Sequence, residues 1–116
     1  MSKVPLILVG GGGHCKSCIE VVESTGIYSI EQVLDVIDKV GQKVLEYDIS
    51  GSDDEINALL TNEKLHLLLT IGQTTNPEIR KRIFNQIKLG NGKLPVVISS
   101  KAIVSSRCTI GEGTIV

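Results

Sequence analysis

The spacing of apolar residues changes along the chain, and each kind of spacing predicts a different structural element. Residues 4–9 are a continuous apolar run, which is typical of a strand covered on both faces of a parallel sheet. Residues 15–22 then carry apolar side chains at i, i+3, i+4 and i+7, which predicts a helix ending near Gly26. Residues 30–37 favour a second, weaker strand.

The second half of the chain continues this alternation. Residues 52–60 are predicted to be helical because they open with the serine and glutamate of a capping box. Residues 65–71 form another apolar strand, and Pro77 marks the start of a helix. Residues 94–98 begin a last strand. This β-α-β-α-β-α-β order predicts an open parallel sheet with helices packed on it.

A period of six governs the tail of the chain. Aliphatic residues stand at Ile98, Val104, Ile110 and Val116, and small side chains follow the first three at Ala102, Cys108 and Thr114. This spacing is typical of a left-handed parallel β-helix. One coil takes three hexapeptides, so the tail holds barely one, and a single coil cannot cover its own apolar interior. We therefore expect residues 1–97 to be an α/β domain and residues 98–116 to be the truncated start of a β-helix domain.

Composition narrows the classes of partner. The 116 residues carry a net charge of −1 and three aromatic side chains, so no basic or stacking surface for nucleic acid is expected. No apolar run approaches the roughly 20 residues of a membrane span, and no signal peptide is recognisable. The three cysteines do not have a secreted-scaffold spacing. We expect a cytoplasmic protein with neither a membrane nor nucleic acid as its partner.

Four consecutive glycines, residues 10–13, join the first strand to the first helix. Glycine permits a tight turn and a close approach of the backbone to a ligand, and the free N–H groups of the helix suit a phosphate or diphosphate. A Rossmann-type site adds an acidic residue about 20 positions later, where Asp35 and Asp38 stand. Gly10 and Gly12 match the dinucleotide fingerprint, but Cys15 holds its third position. A glycine turn that only lets helix and sheet pack closely therefore remains an alternative.

A histidine and two cysteines follow the glycines. His14, in the first helical turn, can donate to a phosphate or a sugar hydroxyl, or it can cap the turn. Cys15 and Cys18 form a C-x-x-C at a helix N-terminus, which is compatible with redox chemistry or half of a zinc site. Both lie on the apolar stripe and no second ligand pair exists, so core packing is favoured and no metal is expected. His66, in an apolar strand, is predicted to be structural.

Three segments, in this order, resemble one family: LILVGGGGHCKSCIEVVES, TIGQTTNPEIRKRIFNQI and AIVSSRCTIGEGTIV. Nearly the whole chain is similar to the N-terminal region of the sugar acyltransferases of the sialic-acid O-acetyltransferase and pilin- or flagellin-glycan acetyltransferase type. The resemblance implies a small Rossmann-like domain that binds a nucleotide-linked sugar. It also implies a left-handed β-helix that trimerises and binds acetyl-coenzyme A, which donates its acetyl group to an amine or hydroxyl of the sugar during surface-glycan synthesis.

The resemblance further implies the residues that bind the substrate. They are Gly10, Gly12, Gly13, His14, Asp35, Ile71, Gly72 and Gln73. Gln73 stands where the family has asparagine, which leaves the base and the sugar open, with a UDP-amino sugar as the expected form. The family's catalytic histidine belongs to a later coil, and no residue here matches it. We expect the full-length protein to be a homotrimeric acetyltransferase, with acetyl-coenzyme A bound mainly outside this chain.

Two other classes of protein remain open. One is a Rossmann-like regulatory module that binds NAD or coenzyme A. The other is a redox protein that uses Cys15 and Cys18. The hexapeptide tail favours the acyltransferase, because neither alternative requires a β-helix.

Overall fold

The computed structural model describes residues 3–72 and 77–116 and places five strands and three α-helices within them. In chain order they are β1 (Val4–Val9), α1 (Gly13–Thr25), β2 (Tyr28–Asp35), β3 (Lys43–Val44), β4 (Tyr47–Ser52), α2 (Ile56–Leu59), β5 (His66–Leu69) and α3 (Glu78–Leu89). Short 3-10 turns follow β2 at Ile37–Lys39 and β4 at Asp53–Glu55. No helix within the two described ranges is both long and apolar enough to cross a lipid bilayer.

The strands form one mixed sheet in the order β3-β4-β2-β1-β5. Strands β4, β2, β1 and β5 run parallel, so their carboxyl ends meet at one edge of the sheet. The prediction of a wholly parallel sheet is corrected by β3, which pairs antiparallel with β4. The chain reverses between these two strands at Leu45, whose φ of 53° is left-handed.

Strand β1 supplies side chains to two apolar layers, one on each face of the sheet. Leu6 and Leu8 pack with α1, whereas Ile7 and Val9 pack with α2 and α3. The predicted stripe of α1 is buried at all four positions, namely Cys15, Cys18, Ile19 and Val22. The prediction that helices cover both faces of the first strand is confirmed, because its period-2 geometry sends alternate side chains to opposite layers.

Strand β4 and the helix that follows it differ from the prediction. The hydrophobic pattern did not indicate β4, in which only every second residue, Tyr47, Ile49 and Gly51, faces inward. The helix predicted over residues 52–60 begins as expected, with Ser52 N donating to Glu55 Oε2 at 2.8 Å. It consists of a 3-10 turn and the four residues of α2.

Residues 94–98 do not form a further strand of the sheet. Lys93 makes a single parallel bridge to His66, after which the chain leaves β5. Val97 then pairs in parallel with Ile115, and the amide of Val116 donates to the Val97 carbonyl at 2.9 Å. Ile115 stands eighteen positions after Val97, and both pack against the α1 layer. The tail therefore shares a core with the sheet, and the boundary at residue 97 stays a prediction.

His66 gives the fold a pH dependence. Its Nδ1 is buried and has no hydrogen-bond partner among the described residues, and burial, together with the charge of Lys93, lowers the pKa of the ring. Below the ordinary histidine pKa of about 6.5, the unfolded chain then binds more protons than the folded chain. We expect the free energy of unfolding to fall as the pH falls from about 6.5 towards the folded-state pKa. Urea unfolding at pH 7.5 and 5.5 measures this loss.

The His66→Leu variant should lose less stability than the wild type between these two pH values. His14→Gln is the control, since His14 is exposed on α1. An unchanged pH dependence in His66→Leu would show that other groups cause it.

Candidate functional site

The loop between β1 and α1 is held in a tight turn that requires glycine at its first position. Gly10 has a φ of +117°, and a Cβ there would lie 2.8 Å from the backbone nitrogen of Ile71. Its amide donates to the Leu34 carbonyl at 2.8 Å, and the Thr70 hydroxyl donates to its carbonyl at 2.6 Å. The turn is therefore fixed to the ends of both neighbouring strands, β2 and β5.

Asp35, the last residue of β2, closes the loop on its other side. One carboxylate oxygen accepts from Gly11 N at 2.8 Å, and the other accepts from Val36 N at 2.6 Å. The side chain is 14% exposed, and Lys39 Nζ lies 4.0 Å from Oδ2. The sequence placed this acidic residue at the loop, but its hydrogen bond to Gly11 N was not predicted.

The N-terminus of α1 presents unpaired backbone donors. Gly12 is the N-cap residue and no side chain caps the helix. Within the described residues no acceptor meets the amides of Gly12, Gly13 or His14, whereas Cys15 N donates back to the Gly12 carbonyl at 3.1 Å. A Cβ on Gly12 or Gly13 would have no neighbour within 4 Å among residues 3–72 and 77–116. Free amides at the positive end of a helix dipole, in open space, suit an anionic group.

These groups border a cavity of about 220 Å³ at the carboxyl edge of the sheet. Its lining residues are Gly10, Gly12, Asp35, Val36, Lys39, Asp53, Ile71, Gly72 and Ile79. Five of the eight predicted substrate-binding residues are among them. Gly13 and His14 stand beside the cavity at the start of α1. Gln73 lies outside the described residues.

Four residues of the cavity were not predicted from the sequence, namely Val36, Lys39, Asp53 and Ile79. Burial, followed by the nearby charge of Asp35, raises the pKa of the Asp53 carboxyl. In the sequence Asp53 only marked the start of a helix. Its place in the cavity depends on the pairing of β4 with β2, where Ser52 lies opposite Asp35.

His14 is exposed on the first turn of α1. A Cβ added to Gly72 would lie 3.4 Å from the Cβ of His14, so His14 lies close to the segment that follows β5. Since α1 has no side-chain cap, the structure gives no support to the capping alternative for His14. Its role as a ligand for a phosphate or sugar stays a prediction.

The C-x-x-C cysteines are packed in the core. Cys15 and Cys18 are 0% and 2% exposed. Burial raises the pKa of both thiols, that of Cys18 to about 11, so neither is a thiolate near neutral pH. Within residues 3–72 and 77–116 no group of three histidine, cysteine or acidic side chains is placed to hold a metal ion. The structure thus agrees with the core-packing interpretation and gives the redox alternative no activated thiol.

Thiol modification tests this assignment. At pH 8 an aromatic disulfide reagent should react quickly with one thiol, the exposed Cys108, and slowly with the two buried thiols. All three should react at once in urea, and Cys108→Ser should remove the fast phase. A second fast thiol in the native protein would restore the redox hypothesis.

The fold and the cavity define a Rossmann-like α/β domain whose glycine loop borders a cavity at the carboxyl edge of its sheet. The chain belongs to the PglD N-terminal domain family, whose sequence model matches residues 5–87. The resemblance to the N-terminal region of the pilin-glycan acetyltransferases is thereby confirmed.

Solved structures of acetyltransferases share this fold. The acetyltransferase domain of PglB from Neisseria gonorrhoeae matches with a TM-score of 0.81 and 26% identity, over 97% of this chain and 53% of that one. A variant of perosamine N-acetyltransferase from Caulobacter crescentus, in complex with CoA and GDP-perosamine, matches with a TM-score of 0.82 and 26% identity, over 97% and 50%. This chain thus spans about half the length of these structures. No match to a curated protein sequence was found.

Proposed function

We propose that this chain is the nucleotide-sugar-binding part of an acetyl-coenzyme A-dependent sugar N- or O-acetyltransferase of surface-glycan synthesis. Membership of the PglD N-terminal domain family supports the proposal. So do the similar structures, one in complex with GDP-perosamine and CoA and another with acetyl coenzyme A. The observation that carries it is the row of free amides at residues 12–14, which opens on the cavity at the sheet edge.

In this proposal the diphosphate of the substrate lies against the start of α1. Each hydrogen bond from a backbone amide to a charged oxygen contributes about 1.5–3 kcal/mol. Lys39 and two backbone N–H groups offset the charge of Asp35, which would otherwise repel the diphosphate. Each oxygen of Asp35 keeps a second lone pair with which to accept a ribose hydroxyl. The sugar then extends towards Ile71 and Gly72 at the end of β5.

The proposed reaction joins the acetyl carbon to the amine or hydroxyl of the sugar. The new C–N or C–O bond forms as the thioester C–S bond breaks, and the proton of the nucleophile ends on the coenzyme A thiol. The base for this step belongs to a part of the whole protein that residues 1–116 do not supply. We propose that the whole protein is a cytoplasmic homotrimer that binds acetyl-coenzyme A mainly beyond residue 116.

The tail is proposed to be the first coil of the left-handed β-helix in which this transfer takes place. The separation of eighteen residues between Val97 and Ile115 equals three hexapeptides, which is the length of one coil. Val116, one of the aliphatic positions of the six-residue period, is 43% exposed, and Val104 and Ile110 are only partly buried. A further coil stacked on the tail would bury such positions.

Calorimetric titration of the chain with UDP-, GDP- and CMP-linked sugars and with NAD tests the proposal. We expect at least one sugar nucleotide to bind and NAD to bind far more weakly. Of these ligands, a UDP-amino sugar is the form that the family resemblance implies. With acetyl-coenzyme A added, the chain alone should bind the sugar nucleotide without acetylating it. Tight binding of NAD alone would favour the regulatory module instead.

A further inference from the structure

We infer that Asp53 selects the nucleobase of the bound sugar nucleotide and that the base it selects is guanine, an inference that rests on the proposed function. It departs from the UDP form that the family resemblance implies. The inference follows from the order of the strand ends, the apolar wall of the cavity and the unmet acceptors of Asp53.

The strand order places Asp53 at the far end of the cavity from the glycine loop. Val9 pairs with Leu34 and Asp35 pairs with Ser52, so the ends of β1, β2 and β4 lie side by side. Neighbouring strands are about 4.8 Å apart, which puts the end of β4 roughly 10 Å from the loop. A nucleotide with its diphosphate at α1 and its ribose at Asp35 therefore brings its base to Asp53.

The wall of the cavity beside Asp53 is apolar and incompletely covered. Val36 and Ile79 are 51% and 52% exposed, and both line the cavity together with Ile71. Ligand sites combine apolar walls of this kind with a few polar groups that fix orientation. The faces of a planar base would cover Val36 and Ile79 and leave its polar edge to Asp53.

Asp53 differs from Asp35 in having its acceptors free. Both oxygens of Asp35 accept backbone N–H groups. The structure, as far as it is described, shows no hydrogen bond or ion pair to the half-buried carboxylate of Asp53. Arg82 acts on Asp53 through its charge but makes no ion pair with it among the described residues. An acceptor that burial has partly stripped of water is stabilised by donors from a ligand.

The donor pattern of guanine fits such a carboxylate. Two parallel N–H donors side by side make a bidentate pair with a carboxylate, and guanine presents its ring N1–H next to its exocyclic N2 amine. Uracil offers one N–H between two carbonyl oxygens, one of which would face the second carboxylate oxygen. Cytosine and adenine place an acceptor nitrogen beside their amine. Guanine is thus the base that uses both oxygens of Asp53.

Calorimetry with GDP, IDP and UDP tests the inference on the wild type, Asp53→Asn and Asp54→Asn. IDP is the matched probe because hypoxanthine lacks the N2 amine. We expect the wild type to bind GDP about tenfold or more tightly than IDP or UDP. Asp53→Asn should lose that preference while its affinity for UDP stays within about threefold. Asp54→Asn should behave as the wild type, since Asp54 is exposed and does not line the cavity.

The outcomes separate this inference from the proposed function. Equal binding of GDP and UDP by the wild type, or equal weakening of both by Asp53→Asn, overturns the role of Asp53 and leaves the proposed function standing. Failure of the wild type to bind any of the three nucleotides overturns the guanine preference, and failure to bind CMP-linked sugars as well overturns the proposed function too. Thermal melting shows whether each variant is folded. The comparison of GDP with IDP needs only the wild type and decides the guanine preference if Asp53→Asn does not fold.

Discussion

Gly12→Val is expected to abolish nucleotide binding while the domain stays folded. Gly12 has an ordinary φ of −86°, and a Cβ there would meet no atom of the described residues within 4 Å, so that part of the protein has room for the side chain. That room is the space in front of the free amides, which the diphosphate needs. Loss of two such hydrogen bonds corresponds to about 3–6 kcal/mol, or a fall in affinity of more than about 100-fold.

Calorimetry and thermal melting together check this expectation. Valine is a poorer N-cap than glycine, so a loss of stability up to about 1 kcal/mol is allowed for. Gly111→Val is the control, because Gly111 also faces open space but lies in the tail, away from the cavity. It should bind as the wild type does. Undiminished binding by Gly12→Val would mean that the ligand does not lie against these amides.

Gly10→Ala is expected to destabilise the fold, whereas Gly12→Val is expected to leave the domain folded and to abolish binding. A φ of +117° strains any residue with a Cβ by about 1–3 kcal/mol. The added atom would also lie 2.8 Å from backbone at Ile71, which cannot move without disturbing the end of β5. We expect a loss of at least about 2 kcal/mol, or about 10 °C in the melting temperature of a domain of this size.

Urea unfolding of Gly10→Ala and Gly13→Ala compares the loss of stability when a Cβ is added at either end of the four-glycine segment. Gly13 lies in α1, its added Cβ would have no neighbour within 4 Å in the described part of the chain, and alanine is the better helix former. Gly13→Ala should therefore unfold at the same urea concentration as the wild type or a higher one. Equal midpoints for Gly10→Ala and the wild type would show that the turn is not as tight as described.

The sequence predicted most clearly the elements that local chemistry determines. Strand β1 is apolar throughout because both of its faces are covered, and α1 shows its buried stripe at a period of 3.6. Strand β4 was missed because aspartate, serine and glycine fill four of its six positions. Its inward residues are only Tyr47, Ile49 and Gly51. Its place in the sheet comes from pairing with β2, which no local pattern reveals.

The same distinction holds for the candidate site. The glycine loop and Asp35 could be located because strand, turn and acidic residue follow one another at a characteristic spacing. Lys39 and Asp53 could not, since they reach the cavity through a 3-10 turn and through the register of β4. The hydrogen bond between Gly11 N and Asp35, which spans 24 residues, was likewise beyond local reasoning.

Amide NMR during titration with a nucleoside diphosphate tests most directly whether the free N–H groups of the first helix hold the substrate. We expect the amide signals of Gly12, Gly13 and His14 to show the largest shifts at saturation. The corresponding nucleoside without phosphates should leave these signals nearly unmoved. Saturable binding that left these three signals in place and shifted residues at the opposite edge of the sheet, around Tyr28 and Tyr47, would contradict this expectation.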